Sequence, residues 1–401
     1  MNMKKEMNTE GLLAQRMIRL KSSAIRELLK HSKMENVISL AGGIPSDALF
    51  DFEGLSQATQ LAITEQPKNA FQYGLTEGSH ALREQITALC AERGVMTRPE
   101  DIVVTAGSQQ ALDLVMRALV NPGDIFVVES PTYLAALQTL ELAEAQLLTV
   151  RSDRDGMIVD DLAELLKTQT IKGVYLVPTF GNPSGVSLSR ARREQLVTLA
   201  AEHRFLIIED DPYGELRFTD ERNPTLFELA AALNGHTDNV IYTSTFSKIL
   251  APGLRLGWVI MPAWLLHKVA SIKQAADLHA SSLSQVVAEY YLGLGRLPAQ
   301  IETIRAAYKR KCEVLASLLE QELGEHVTFE MPKGGMFLWA RFRQPRNTAE
   351  WLQETLKQGV VFVPGEYFFA AEPDHSTFRL SFATATEEQM QEAVARLKRA
   401  L

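Results

Sequence analysis

Short runs of apolar and β-branched residues recur through the middle of the chain. They fall at Ile102 to Thr105, Ile125 to Glu129, Leu147 to Val150, Val174 to Val177, Leu206 to Glu209, Val240 to Thr243 and Leu256 to Met261. Their hydrophobicity is continuous rather than alternating, which is what strands covered on both faces require. Stretches with helical spacing separate most of them. After the first run, Leu112, Val115, Met116 and Leu119 repeat at helical spacing, Ser108 is placed to cap the start, and Asn121-Pro122-Gly123 stops the helix. The alternation predicts an α/β protein with a mostly parallel, seven-stranded sheet covered by helices. From about Ser284 to Leu323 the pattern becomes helical and charged. Strand-like segments at Gly335 to Ala340 and Thr377 to Phe382 then predict a smaller α+β domain. We expect an N-terminal arm at 1–48, with a helix over Ser22 to His31 packed on the small domain, a large domain at 49–295 and the small domain at 296–401.

Composition narrows the class. At 401 residues the chain exceeds the size at which a single core keeps growing, and 46% hydrophobic with 22% charged residues is ordinary globular usage. A net charge of -8 without a Lys/Arg stripe argues against nucleic acid as a partner. Cys90 and Cys312 lie far apart and outside any CxxC pattern, so neither a metal site nor a disulfide is expected, which fits a reducing compartment. The polar start from Met1 to Gly11 and the lack of a run of about 18 apolar residues predict a cytoplasmic protein without a membrane span.

Ligands of open α/β sheets bind beyond the carboxyl ends of the strands. Five predicted strands lead into polar loops: Gly107-Ser108-Gln109, Ser130-Pro131-Thr132-Tyr133, Phe180 to Gly185 containing Asn182-Pro183-Ser184-Gly185, Asp210-Asp211-Pro212-Tyr213, and Thr245-Phe246-Ser247-Lys248. Taken singly, these read as a helix cap, turns and a surface lysine. Together they predict one pocket. Gly107-Ser108-Gln109 at a helix start offers N–H groups and a dipole to a phosphate, and Arg255 within Gly253-Leu254-Arg255-Leu256-Gly257 offers a bidentate partner for the same group. Asp210 ends a very apolar strand, so its carboxylate needs a cationic partner such as a protonated ring nitrogen. Lys248 between apolar segments carries an ammonium that is costly to bury, and a Schiff base removes that cost. Burial and Arg255 both favour its neutral, nucleophilic amine.

These residues resemble those of the fold type I pyridoxal-phosphate enzymes, specifically the class I and II aminotransferases, over nearly the whole chain. The resemblance rests on Ser247-Lys248 with Gly253 to Gly257, on Asn182-Pro183-Ser184-Gly185, and on Asp210 with Tyr213. It implies pyridoxal 5'-phosphate as cofactor, with Lys248, Asp210 and Tyr213 as catalytic residues. By the same likeness Lys248 carries the cofactor, Asp210 holds its pyridine nitrogen protonated, and Asn182 and Tyr213 contact its 3-hydroxyl. Tyr133 stacks on the ring, Ser108, Gln109, Thr245, Ser247 and Arg255 hold the phosphate, and Tyr73 reaches the phosphate of a partner subunit. That last role implies a homodimer with shared active sites. Arg379 is similar to the arginine that clamps the substrate α-carboxylate, and Gly43 and Asn182 join it in the substrate site. The segment Ser23 to Leu29 followed by Ser39-Leu40-Ala41-Gly42-Gly43 looks like the branch of the 2-aminoadipate and kynurenine aminotransferases, in which Arg26 is the candidate for a distal carboxylate. Gly181, where many relatives carry a side-chain amide, and Ser184, in place of the commoner threonine, depart from the pattern.

The expected activity is transfer of an amino group from an L-α-amino acid, aromatic, aminoadipate-like or of broad range, to a 2-oxo acid such as 2-oxoglutarate. A β-lyase or decarboxylase on the same scaffold, or a non-catalytic ligand sensor, are the alternatives.

Overall fold

The computed structural model describes residues 10–19, 28 and 36–401. The predicted helix over Ser22 to His31 and the candidate Arg26 lie outside the described residues, Leu28 excepted.

All seven apolar runs form strands of one sheet, and all but the Leu147 to Val150 run, which is largely half-buried, are mostly buried because helices cover both faces. In chain order they are β2 (Ile102–Thr105), β3 (Ile125–Ser130), β4 (Gln146–Asp153), β6 (Gly173–Leu176), β7 (Leu206–Asp210), β8 (Val240–Thr245) and β9 (Gly257–Ile260). An eighth strand that the apolar pattern did not predict, β5 (Gly156–Met157), returns as a two-residue antiparallel hairpin on β4. Two residues are too few to carry a periodic signal. The spatial order is β2-β9-β8-β7-β6-β3-β4-β5. The pairs β8-β7, β7-β6, β6-β3 and β3-β4 are parallel, and β9 runs antiparallel to both of its neighbours. Six of these strands, β2 included, therefore point their carboxyl ends the same way, and β9 brings its amino end to the same edge.

The helix Ser108–Leu119 buries Leu112, Val115, Met116 and Leu119 against the sheet, on the predicted face. Its start differs from expectation. Gly107 occupies the cap position with a φ of 88°, and Ser108 is the first helical residue, so the Ser108 hydroxyl is not spent on capping. A left-handed φ selects glycine at that place.

The second layer is a four-stranded antiparallel sheet in the order β10-β11-β14-β13, built from β10 (Val327–Phe329), β11 (Phe337–Phe342), β13 (Val363–Pro364) and β14 (Thr377–Ser381). The helical stretch leading to it is two helices, Ser282–Gly293 and Leu297–Leu323, separated at Gly295, where φ is 68°. The chain near its start joins this layer. Strand β1 (Ile38–Ser39) pairs in parallel with β12 (Val360–Val361), and Leu40 O accepts from Ser381 N at 2.7 Å. The segment Leu40 to Gly43 is thereby held across the edge of the large sheet. No described helix is long and apolar enough to cross a membrane.

Candidate active site

A cavity of about 290 Å³ opens beyond the carboxyl ends of the parallel strands. Gly107, Ser108, Gln109, Tyr133, Asn182, Asp210, Tyr213, Thr245, Ser247, Lys248, Arg255, Arg379 and Gly43 all line it. The five loops expected to converge do so, since parallel register places their first residues side by side.

Lys248 closes a short turn, Phe246–Lys248, whose first N–H groups are organised by Thr245. Thr245 Oγ1 accepts from Ser247 N at 3.1 Å and lies 2.9 Å from Ser247 Oγ, so both hydroxyls are fixed at the cavity floor. Lys248 Nζ donates to Gly43 O at 2.9 Å. Burial, followed by the positive charges of Arg379 and Arg255, pushes the Lys248 amine down to about 8, while Asp210 opposes the shift. The sequence pointed to Arg255 for this effect; Arg379, more than a hundred positions from Lys248 in the chain, contributes more, and only folding brings it close.

Asp210 is 2% exposed at the end of β7. Its Oδ2 accepts from the Tyr175 hydroxyl at 2.8 Å, and its Oδ1 is buried without a partner among the described residues. Burial raises its carboxyl to about 7, with Asp211 adding to the rise and the Tyr175 hydrogen bond and Lys248 working against it. Tyr213 is buried, packs edge-on against Phe337 with ring centroids 5.8 Å apart, and has its phenol pushed up by burial. Burial also raises the Tyr133 phenol to about 12, so neither phenol ionises near neutral pH.

Arg379 comes from β14 and is 2% exposed. Its Nη1 donates to Asn182 Oδ1 at 2.7 Å and its Nη2 to Ala41 O at 2.6 Å, while Nε has no partner among the described residues. The guanidinium lies over the Phe337 ring at 4.3 Å and the Phe368 ring at 5.0 Å. Burial lowers it to about 10, so it stays charged and holds N–H donors in reserve for an anion.

At the other end, Arg255 Nη2 donates to Ala106 O at 3.0 Å, beside the start of the Ser108–Leu119 helix. Two glycines permit this approach. A Cβ on Gly107 would lie 2.7 Å from Arg255 Nη2, and a Cβ on Gly257 would lie 2.7 Å from Ser108 N. Gln109 lines the cavity while its amide donates to Thr139 Oγ1 at 3.0 Å. Behind this loop, a group that sequence reasoning missed holds it in place. Gln110 Oε1 accepts from Ala106 N at 2.7 Å and from the buried Lys273 at 3.0 Å, and its Nε2 donates to Asp277 at 2.6 Å.

Tyr73 stands apart from the cavity. It is 79% exposed with its ring 5.8 Å from His279, and Phe71 and Leu75 beside it are 66% and 61% exposed. Tyr175, Ile44, Val177, Pro212 and Phe368 also border or support the site and were not singled out from sequence. A tyrosine inside an apolar strand gives no local sign that its hydroxyl reaches the next strand.

The residues present fit pyridoxal 5'-phosphate. The orphaned Asp210 oxygen suits a ring N–H, Lys248 suits an aldehyde, and the glycine-lined helix start with Ser108, Ser247 and Arg255 could hold a phosphate. A doubly wound sheet with a cofactor lysine at its strand ends and an antiparallel second layer is the architecture of the fold type I pyridoxal-phosphate enzymes. Within that class, the family model for aminotransferase class I and II matches residues 35–397, and the chain belongs to this family. It is 40% identical, over 97% of its length and 93% of the relative's, to the aromatic-amino-acid aminotransferase 1 of Thermococcus litoralis. Among solved structures it is similar to the kynurenine aminotransferase of Pyrococcus horikoshii, with a TM-score of 0.93, 38% identity and coverage of 98% and 97% of the two chains. It is also similar to the alpha-aminoadipate aminotransferase of Thermus thermophilus complexed with N-(5'-phosphopyridoxyl)-L-leucine, with a TM-score of 0.92, 35% identity and 98% of each chain covered. The protein is a pyridoxal-phosphate-dependent aminotransferase, moving an amino group between an amino acid and a 2-oxo acid.

Proposed function

We propose that this aminotransferase takes L-α-amino acids with aromatic or other large apolar side chains as donors and 2-oxoglutarate or a similar 2-oxo acid as acceptor. The observation that carries the reading is the lining of the cavity. Around Arg379 it presents Ile44, Tyr133, Val177, Pro212 and Phe368, and among the described lining residues the cations are Lys248, Arg255 and Arg379. Each of these three has a task near the reacting centre, which leaves an apolar surface for the donor side chain.

Lys248 Nζ would hold the cofactor, and its free amine would move the proton at the substrate α-carbon; its depressed pKa suits it to serve as a base near neutral pH. Pyridoxal phosphate, when bound, would supply an electron sink for the negative charge that develops at the α-carbon. Asp210 Oδ1 would receive the ring N–H, and Asn182 with Tyr213 would hold the ring's phenolic oxygen. Tyr133 would cover the ring face, and Ser108, Gln109, Thr245, Ser247 and Arg255 would hold the phosphate. Arg379 grips the α-carboxylate through its spare N–H groups, with Asn182 and the Gly43 segment fixing the substrate's orientation.

The exposed strip of Phe71, Tyr73, Leu75 and Leu278 supports a homodimer in which Tyr73 of one subunit completes the phosphate site of the other. We read the cleft as lying between a large domain at 49–295 and a small domain at 296–401, with 1–48 joined to the latter, in a protein of the cytoplasm.

An absorbance titration of the purified enzyme tests the substrate reading. Phenylalanine or leucine is expected to convert the cofactor to its amino form at lower concentration than 2-aminoadipate does. A clear preference for aminoadipate overturns it and assigns the distal carboxylate to residues such as Arg26.

A further inference from the structure

We propose that Tyr175 is a positioning residue for the cofactor's ring nitrogen: its hydroxyl ties down one oxygen of Asp210, keeps the carboxylate ionised, and leaves the other oxygen free to receive the ring N–H. The inference rests on the assignment of Asp210 to that nitrogen.

The strand register makes the contact. In the parallel pair β6-β7, Tyr175 lies opposite Ile208, two residues before Asp210, and side chains two apart on a strand share a face. A tyrosine is long enough to span that offset along the sheet, and the hydroxyl arrives 2.8 Å from Asp210 Oδ2. Tyr175 is fully buried, so no water competes for either partner. Burial first, and then the Asp210 charge, hold the Tyr175 phenol far above its ordinary range, so the hydroxyl remains a donor at every working pH. The result is a carboxylate with its two oxygens made unequal. Oδ2 is satisfied from behind, and Oδ1 is a buried acceptor without a partner among the described residues, at a position bordering the cavity.

The surroundings do not supply the ionised state otherwise. Asp211, next in the chain, carries like charge and is occupied by Gly214 N at 2.9 Å and the Tyr242 hydroxyl at 2.8 Å. Tyr133 and Tyr213 face Asp210 as neutral phenols, and Lys248 is the cation nearest in effect. Once Lys248 is bonded to the cofactor its full ammonium charge is no longer available, and the Tyr175 hydroxyl is the remaining protein group that favours the carboxylate. Without it Asp210 takes up a proton, becomes a donor, and cannot keep a proton on the ring nitrogen.

The test compares two cofactors on two proteins. Apoenzyme of wild type and of Tyr175→Phe is titrated with pyridoxal phosphate and with its 1-deaza analogue, in which C–H replaces the ring nitrogen, and dissociation constants are measured across pH. Wild type is expected to prefer pyridoxal phosphate, and Tyr175→Phe to lose roughly 10- to 100-fold of that preference while binding the analogue as before. As pH falls the wild-type preference disappears when Asp210 is protonated, and in Tyr175→Phe this midpoint moves up by about one unit or more. Equal weakening for both cofactors, or an unchanged preference and midpoint, overturns the proposal. A wild type that does not distinguish the two cofactors refutes the Asp210 assignment itself. If Tyr175→Phe does not fold, 3-fluorotyrosine at position 175, a stronger donor of similar volume, is expected to move the wild-type midpoint downward; an unmoved midpoint again refutes the role.

Discussion

Asn182 Oδ1 accepts a hydrogen bond from Arg379 Nη1 at 2.7 Å, joining a turn of the large sheet to a strand of the small one. With Ala41 O on Nη2, the guanidinium is fixed in one orientation before any substrate arrives, over two aromatic rings that exclude water. Preorganisation of this kind is where an enzyme of this class obtains its orientation.

Replacing Arg379 by lysine therefore keeps a charge and discards the geometry. Arg379→Lys is expected to lower kcat/KM by roughly 100-fold or more for every amino donor, because a lysine cannot present paired N–H groups. Cofactor affinity should change far less. Steady-state kinetics alongside a pyridoxal phosphate titration separate the two effects.

The Lys248 amine must be neutral to attack an aldehyde. Its folded-state value of about 8 lies below that of an ordinary lysine, so the reactive fraction grows as pH rises through about 8. The rate at which apoenzyme recaptures pyridoxal phosphate should rise in the same window and then level. Arg379→Gln removes the larger of the two charge contributions and should move that midpoint upward; stopped-flow absorbance at several pH values reads both.

Asp210 imposes a cost on the apoprotein. Its folded carboxyl, at about 7, lies above the unfolded value of about 3.9, so the folded state binds the proton more tightly. The stability of wild-type apoprotein should accordingly fall as pH rises from about 4 through about 7. Asp210→Asn should remove that fall, melt higher than wild-type apoprotein at pH 8, and lose nearly all turnover. Thermal melts at pH 5 and pH 8 with and without cofactor check the sign.

Gly257→Ala places a methyl group 2.7 Å from Ser108 N, 2.8 Å from the Gly107 carbonyl carbon and 2.8 Å from Ser244 O. All three are backbone atoms that cannot rotate away. The substitution is expected to cost about 1–3 kcal/mol of stability and to weaken phosphate binding by moving the start of the helix. Denaturant unfolding of the apoprotein and a binding titration with pyridoxal phosphate measure the two losses.

Much of this architecture is legible in the chain itself. Seven continuous apolar runs can be buried on both faces in few ways, so strand identity and a mostly parallel sheet follow from local pattern, as does a polar loop after each strand. Within those loops, Lys248, Asp210, Asn182 and Arg255 stand out because charge or amide chemistry at the end of an apolar run demands a partner. The cap at Gly107 was not legible, since Ser108 has the better capping side chain and only the left-handed backbone chose glycine. Tyr73, by contrast, is exposed and does not line the cavity.

The amino-acid sequence by itself determined the fold class, the order of the loops and the chemical types gathered at the strand ends, because these depend on periodicity and on neighbours within a few residues. The tertiary structure alone decided how those groups are tuned. The Lys248 amine is lowered chiefly by burial and by Arg379, and Asp210 owes its single satisfied oxygen to Tyr175 on the next strand. Electrostatic and hydrogen-bond energies depend on distance in space and on exclusion of water, and neither quantity exists until strands far apart in the chain lie side by side.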